Sequence, residues 1–238
     1  MPVALTIEPV PVLTDWPARK RWTRAECDRF EAFGGFDGQR YELIEGELIN
    51  KMGKNHPHVL MLMALADWFA QHFPGRWMTE APMEVALDDA PINEPEPDLL
   101  LLHGRRTALD GRRPSPQDVA LLIEVADSTR AFDTTVKAKL YARAGVMDYW
   151  VVDVKANRMV VFREPREGNY TSIIGYDATE VITPLSAPDR PFRLSVVPLR
   201  CQPLFHRLRT LILHASVGPA RSARSWRCMA FSNWSAMN

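Results

Sequence analysis

The chain has 238 residues and a mass of 27.1 kDa, with 46% hydrophobic and 24% charged residues. This composition can build a sizeable core, so it excludes wholesale disorder, and the length suits one large domain or two small ones. The net charge is +0, but the charged residues from Arg200 onward are six arginines, which leaves −6 on residues 1–199. A high-affinity DNA-binding protein usually carries a positively charged surface, so a net charge of −6 on residues 1–199 is not typical of one. This charge is more consistent with an acidic site that binds a metal ion.

Three further features bound the class of protein. The longest uninterrupted apolar run, Val59 to Ala66, is far shorter than the roughly 20 residues that span a bilayer. The N-terminus is interrupted by prolines and a glutamate, so no signal peptide is expected. The three cysteines lie far apart and form no CxxC pair, so neither a disulfide framework nor a zinc site is predicted. We expect a cytoplasmic protein with reduced thiols and no membrane contact.

The first half of the chain predicts an arm, a helix, a hairpin and a second helix. Residues 1–22 are proline-rich and lack periodicity, which indicates an N-terminal arm. Thr23 and Glu26 have the spacing of a capping box, so a helix should begin there and end before Gly34-Gly35. Residues 40–49 predict two strands around a Glu-Gly turn. Pro57 then favours the start of a helix that Pro74-Gly75 ends, with an apolar face made of Val59, Leu62, Met63, Ala66, Phe69 and Phe73.

The second half predicts a buried sheet with one helix inserted between its strands. Strands are expected over 77–87, 98–102 and 119–125, the last of them buried on both faces. A helix is expected over 132–144, with Gly145 just past its end. A hairpin over 148–154 and 158–162 follows, with less regular strand patterns at 170–176 and 180–182. This order of elements predicts a mixed α/β architecture.

Three acidic residues occupy positions where chemistry could use them. Asp98 opens an apolar strand, Glu124 lies near the end of the most apolar strand, and Glu42 lies inside the first hairpin. An ionised carboxylate in a buried strand is costly unless it is paired or bound to a metal ion. Acids on adjacent strands could hold Mg²⁺ or Mn²⁺, although a strand-end salt bridge to a helix explains Glu124 equally well.

A lysine beside such carboxylates would orient the attacking water and stabilise the negative charge that develops. Lys137 and Lys139 follow the Glu124 strand in the chain. If Phe132, Val136, Leu140 and Ala144 form the buried face of their helix, both lysines lie about 80° from its centre, on opposite sides. Helical periodicity does not choose between them, and both could equally be solvated surface residues.

Several short blocks of sequence occur in this chain in the same order as in a known protein family. These blocks are residues 40–48, 96–99, 123–129, 132–137, 140–141 and 145–153. In this order the chain resembles the Uma-two family of endonucleases, within the PD-(D/E)XK restriction-endonuclease-like superfamily. The resemblance covers roughly Thr23 to Leu199, and it implies an α/β restriction-endonuclease-like fold with a mixed central β-sheet flanked by helices.

The resemblance also implies roles for individual residues. Asp98 and Glu124 match the metal-binding acids, and Glu42 matches the acid of the N-terminal hairpin, as a third ligand or through a water molecule. The superfamily places a lysine two residues after the third-strand acid, where this chain has Ala126. The family pattern instead supplies a lysine four residues after an aspartate. Asp133 and Lys137 have this spacing, so Lys137 is favoured and Lys139 is the second choice.

The predicted protein is therefore a Mg²⁺-dependent endonuclease, with Mn²⁺ as a possible substitute, acting on nucleic acid and most simply on DNA. A homodimer is expected by analogy with nucleases that cut duplexes. The domain prediction is an arm (1–22), a nuclease domain (23–199) and a poorly ordered basic tail (200–238). The alternatives are a non-catalytic nucleic-acid-associated module of the same fold, with a mobile-element origin, and a purely structural α/β protein.

Two further motifs are assigned secondary roles. His56 and His58 form an HxH pair, but no third ligand is positioned to complete a transition-metal site. His58 is expected to cap the helix or to line the cleft near its start. Ser128 and Thr129 have no evident partners for a nucleophilic triad, so they are expected to cap the N-terminus of the helix that follows.

Overall fold

The computed structural model describes residues 20–51 and 55–196, which lie within one compact unit, Met1–Leu199. Most of the predicted arm and the whole predicted basic tail, with Cys201 and Cys228, lie outside the described residues. In the described part of the chain, Cys27 is a free, buried thiol, and no helix there is long and apolar enough to cross a membrane.

The described helices are α1 (Arg24–Ala32), α2 (His56–His72), α3 (Arg130–Phe132) and α4 (Ala138–Arg143), with a π turn (Asp133–Lys137) between α3 and α4. We call α3, the π turn and α4 together the composite helix. The first four strands are β1 (Tyr41–Ile44), β2 (Glu47–Asn50), β3 (Trp77–Thr79) and β4 (Leu99–Leu102). The others are β5 (Val119–Ala126), β6 (Asp148–Asp153), β7 (Arg158–Arg166) and β8 (Asn169–Asp177).

Among the described residues, β3 to β8 form one six-stranded sheet in sequence order, and β1 and β2 form a separate hairpin. Strands β5 and β6 are parallel, and the other neighbours in the sheet are antiparallel. Two parallel neighbours need a crossover connection, and the composite helix provides it. The fold is thus a mixed α/β sheet flanked by helices, as the sequence predicted.

The two faces of the sheet pack against different helices because successive strand residues point to opposite sides. On one face, Ile123 and Val125 of β5 pack in a core with Met61, Leu65 and Phe69 of α2. On the other face, a second core is formed by Leu122 and Ala126 of β5, Tyr149 and Val151 of β6, and Ala138, Tyr141 and Ala142 of α4. A strand covered on both faces reads as a continuous apolar run, so Glu124 is an exception within β5.

The N-terminal elements confirm the predicted turn chemistry. Thr23 and Glu26 form the predicted capping box, with each side chain bonded to the backbone of the other residue. The hairpin turns through Glu45 and Gly46, both at positive φ, a conformation that glycine adopts without strain. An isolated bridge between Leu43 and Glu94 joins the hairpin to the segment that precedes β4.

Three sequence predictions about the fold are wrong. In α2, Met61 and Leu65 are buried while Met63 is 59% exposed, so the core face is rotated from the predicted one. This helix is apolar nearly all round, so periodicity could not select its buried side. Only 77–79 of the predicted strand 77–87 is a strand. Residues 180–182 are not a strand; Ile182 makes an isolated bridge with Phe192.

Candidate active site

The four residues predicted for the site line one cavity of about 330 Å³ at the carboxyl end of β5. They are Glu42, Asp98, Glu124 and Lys137, and each is at most 6% exposed. Asp133 is a fifth buried charged residue in the lining, at 3% exposure. Four carboxylates therefore surround a single ammonium in this buried group.

The sheet places the first two carboxylates side by side. Leu99 of β4 pairs with Ile123 of β5 in antiparallel register, so Asp98, one residue earlier, lies beside Glu124, one residue later. The backbone N–H of Val125 donates a hydrogen bond to Asp98 Oδ2 at 2.9 Å. Asp98 and Glu124 are thus held at adjacent strand ends by the register of the sheet itself.

The composite helix places its polar residues against β5. In its π turn the N–H of Ala138 bonds to the carbonyl of Asp133, five residues back instead of four. The Tyr149 hydroxyl also donates to this carbonyl, at 2.9 Å. Asp133, Lys137 and Tyr141 are spaced four residues apart, share the inward side of the composite helix and are buried.

The Lys137 ammonium joins the hairpin to the sheet. Its Nζ atom lies 2.8 Å from Glu42 Oε1, 3.0 Å from Glu124 Oε1 and 3.9 Å from Asp133 Oδ1. Glu124 Oε1 also accepts a hydrogen bond from the Tyr141 hydroxyl at 2.8 Å. Glu42 Oε2 accepts from the Glu96 N–H at 3.3 Å. Both carboxylate oxygens of Glu42 therefore have a partner among the described residues. At Glu124, the described contacts all use Oε1.

The cavity lining holds more negative than positive charge, with five acidic residues against Lys51 and Lys137. Burial raises the pKa of the Glu124 carboxyl; Lys137 opposes the rise, and the neighbouring carboxylates add to it. Burial likewise raises the pKa of Asp133 to about 6, against the opposing effects of Lys137 and a hydrogen bond from Thr129. Burial alone would lower the pKa of Lys137, but the surrounding carboxylates outweigh it and hold that pKa above its ordinary value. Lys137 is therefore an ammonium at neutral pH.

The structure distinguishes the two candidate lysines. Lys137 is 4% exposed and lies in the cavity, whereas Lys139 is on the surface. The predicted face of this helix does pack, since Leu140 is fully buried and Phe132, Val136 and Ala144 are half-buried against the same small cluster. The helix buries a second face as well, and Lys137 lies on it with Tyr141. Ala126 is fully buried in the core under α4, and the helix brings a lysine to Glu124 instead.

His58 and Thr129 also line the cavity. His58 Nε2 lies 3.2 Å from Asp98 Oδ2, and its buried Nδ1 has no hydrogen-bond partner among the described residues. Asn55, not His58, caps α2 by accepting from the His58 N–H. The predicted capping role of Thr129 is wrong, because its hydroxyl donates to Asp133 Oδ2 at 2.6 Å and makes no cap bond.

Sequence reasoning missed the contributions of Asp133 and Tyr141. In the sequence, Asp133 is notable only because it lies four residues before Lys137, and Tyr141 only as part of the block 140–141. The available signal was the spacing of Asp133 and Tyr141, each four residues from Lys137, because residues four apart share one face of a helix.

The donor set is of the kind that hard divalent cations prefer, namely carboxylate oxygens. Within residues 20–51 and 55–196, no group of three or more histidines, cysteines or acids is arranged to hold a metal ion. A three-carboxylate set that includes Glu42 is thus not assembled, because Glu42 faces Lys137. Magnesium commonly uses one or two carboxylates and completes its shell with water and substrate phosphate. Asp98 and Glu124 fit such a site, and the surplus negative charge favours a cation there.

Comparison with known proteins assigns the chain to a family. The family model Uma2, described as "Putative restriction endonuclease", matches residues 26–196. No curated protein matches the chain. One similar solved structure is described as "a putative nuclease belonging to DUF820 from Anabaena variabilis ATCC 29413". It is 15% identical, with 66% of this chain and 88% of that chain covered and a TM-score of 0.49, a likeness too weak to carry an argument.

The matched region contains the whole described sheet and every residue of the cavity. The protein thus belongs to a class of restriction-endonuclease-like nucleases with a mixed α/β fold. More particularly, the chain is a member of the Uma2 family.

Proposed function

We propose that the protein is a Mg²⁺-dependent endonuclease that hydrolyses phosphodiester bonds in DNA, with Mn²⁺ able to replace Mg²⁺. The observation that carries the proposal is the contact of the Lys137 ammonium with Glu42 and Glu124 in a cavity shared with Asp98. The Lys137 ammonium thus lies beside Glu124, and Glu124 and Asp98 are the two carboxylates that suit a divalent cation. Membership in a family described as restriction endonucleases supports the same activity.

In this proposal, Asp98 and Glu124 hold the metal ion. A bound Mg²⁺ would polarise a phosphoryl oxygen and lower the pKa of a bound water molecule. Asp98 is oriented by the Val125 N–H and by His58, and Glu124 by the Tyr141 hydroxyl and Lys137. These hydrogen bonds fix the carboxylates before substrate arrives, which reduces the reorganisation needed during the reaction.

Lys137 orients the attacking water and stabilises the charge that develops on the phosphoryl oxygens. Because the surrounding carboxylates raise its pKa, Lys137 keeps its proton and does not serve as the general base. The water oxygen attacks phosphorus in line with the leaving oxygen, and the P–O bond to that oxygen breaks. The attacking water gives up a proton to solvent, and the leaving oxygen takes up a proton from solvent to become a hydroxyl group. The products are one strand end with a phosphate monoester and one with a hydroxyl group.

Glu42 holds the Lys137 ammonium in place across the gap between the hairpin and the sheet. The sequence predicted Glu42 as a third metal ligand. In this proposal it positions Lys137 instead, because both of its carboxylate oxygens already have partners among the described residues. The non-catalytic alternative was motivated by Ala126 in the superfamily's lysine position. A lysine that reaches Glu124 from the composite helix supports the catalytic proposal instead. The homodimer and the cytoplasmic location stay predictions.

The test is cleavage of supercoiled plasmid with Mg²⁺, Mn²⁺ or EDTA. Asp98→Asn, Glu124→Gln and Lys137→Met should each lower the metal-dependent rate by about 10²–10⁴-fold, the range for removing a catalytic group. Lys139→Met is the matched control, because it removes a lysine from the exposed side of the same helix, and it should cleave at the wild-type rate. Absence of metal-dependent cleavage by the wild type, together with metal-insensitive DNA binding, would favour the non-cutting module.

A further inference from the structure

A second cavity, of about 350 Å³, lies beside the candidate active site. The chain passes directly from one to the other: Thr129 lines the first cavity and Arg130 lines the second. Arg158, from the start of β7, lines the second cavity as well. Both cavities therefore lie where β5 and its parallel neighbour β6 end, the edge at which ligands bind in open α/β sheets.

Two arginines give this cavity its chemical character. Arg130 Nε lies 2.9 Å from Asp153 Oδ2, and Arg158 Nε lies 3.1 Å from Asp177 Oδ1. The described contacts of both guanidinium groups use Nε, which leaves their Nη donors for a ligand. Asp153 and Gly175 also line the cavity.

A third cation extends the positive surface toward the first cavity. Lys155, in the turn between β6 and β7, lies with Nζ 3.3 Å from Oδ1 of Asp127, which lines the active-site cavity. Arg130, Lys155 and Arg158 have side chains that are 59%, 68% and 56% exposed. A polyanion that approaches the acidic active site thus meets cations at its border.

The acidic partners of these cations do not prevent them from binding a phosphate. The Arg158–Asp177 pair is exposed on both sides, and exposed ion pairs contribute only about 0–1 kcal/mol, so Arg158 can exchange its carboxylate partner for a phosphate. Asp153 is 11% exposed, so Arg130 keeps this pair through Nε and offers its Nη donors, whose parallel geometry matches a phosphate.

We propose that the cavity between Arg130 and Arg158 binds a backbone phosphate of the nucleic acid, next to the phosphate that is cleaved. This inference rests on the proposed function, because it takes the ligand of the second cavity to be a neighbouring part of the same substrate. It explains how a body with net charge −6 engages a polyanion: the acidic cavity takes the metal ion, and the adjacent basic cavity holds the strand.

The test measures binding of fluorescent DNA, as a duplex and as a single strand, by anisotropy at several salt concentrations with Ca²⁺ in place of Mg²⁺. Because the slope of log K against log salt counts neutralised phosphates, loss of one phosphate contact reduces it by about 0.9 for a duplex and about 0.7 for a single strand. We expect Arg130→Gln combined with Arg158→Gln to give this reduction together with weaker binding.

The matched control is Arg112→Gln. Arg112 is 52% exposed and paired with Asp118 at 2.6 Å, near the opposite end of β5, so its loss should leave the slope unchanged. An unchanged slope in the double variant, or an equal reduction in the control, would overturn the inference while leaving the proposed function intact. Failure of the wild type to bind either DNA would instead overturn the proposed function, and the inference with it.

Discussion

Replacement of Lys137 by methionine is the sharpest test of the charge network. The substitution keeps much of the length of the side chain but removes the only ammonium among the four buried carboxylates of the cavity. Removing one partner of a buried ion pair typically costs about 3–5 kcal/mol, because the remaining charge is left uncompensated. The carboxylates can limit that loss by taking up one further proton.

The free-energy cost of binding this proton sets an upper limit on the stability that Lys137→Met can lose, and this limit depends on pH. A carboxyl group with an unfolded-state pKa near 4.3 is protonated at a cost of about 1.4 kcal/mol per pH unit above that value. The limit is therefore about 5 kcal/mol at pH 8 and about 2 kcal/mol at pH 5.5. The folded protein binds extra protons at Glu124 and Asp133, whose pKa values are raised, so the stability that these two groups contribute is lost as pH rises through those values. The variant should show this loss more steeply.

The assay is urea unfolding in EDTA at pH 5.5 and pH 8. Lys137→Met should lose most at pH 8 and still fold at pH 5.5, since small domains have about 5–15 kcal/mol of stability. Lys139→Met should stay within about 0.5 kcal/mol of the wild type at both pH values. A penalty for Lys137→Met below about 1 kcal/mol at pH 8, or an equal penalty at both pH values, would refute the reasoning.

Three other predictions follow from the described contacts. Met61→Ala should destabilise the protein by about 2–5 kcal/mol and Met63→Ala by no more than about 0.5 kcal/mol in urea unfolding; the reverse order would show that α2 buries its other face. The apparent affinity for Mg²⁺, measured by calorimetry, should rise by up to about tenfold per pH unit between pH 6 and 8, because burial raises the pKa of Glu124, which must lose its proton to bind; a flat profile would remove Glu124 from the ligand set. At a pH above the raised pKa of Glu124, Tyr141→Phe should cost about 1.5–3 kcal/mol, since its hydroxyl donates to a carboxylate, and Tyr149→Phe only about 0.5–1.5 kcal/mol, since its hydroxyl donates to a carbonyl; equal costs at that pH would argue against a charged Glu124.

The parts of the fold that follow from local chemistry could be predicted from the sequence. The capping box at Thr23 and the hairpin around Glu45-Gly46 depend on residues close in the chain, and both are as expected. Strand β5 was recognisable as an apolar run interrupted by one acid. The same anomaly pointed to Glu124, because a lone carboxylate in such a strand requires a partner.

The parts that failed depend on packing. Helix α2 offers apolar side chains in nearly every direction, so its buried side is set by the sheet that it meets rather than by its own pattern. In the composite helix, periodicity identified a face that does pack, but it did not show that Lys137 lies on a second buried face. The family resemblance favoured Lys137, the lysine that lines the cavity, while periodicity alone left Lys137 and Lys139 equal.

The π turn has a consequence for how this segment tolerates change. It inserts one extra residue into a helical turn, so the stretches before and after it are held in a fixed rotational relation by the number of residues between them. Deletion of a single residue such as Thr134 would remove that extra residue and let the segment close as a regular α-helix, with the stretches on either side still facing as before. The segment should therefore tolerate the loss of one residue at the turn better than the insertion of another.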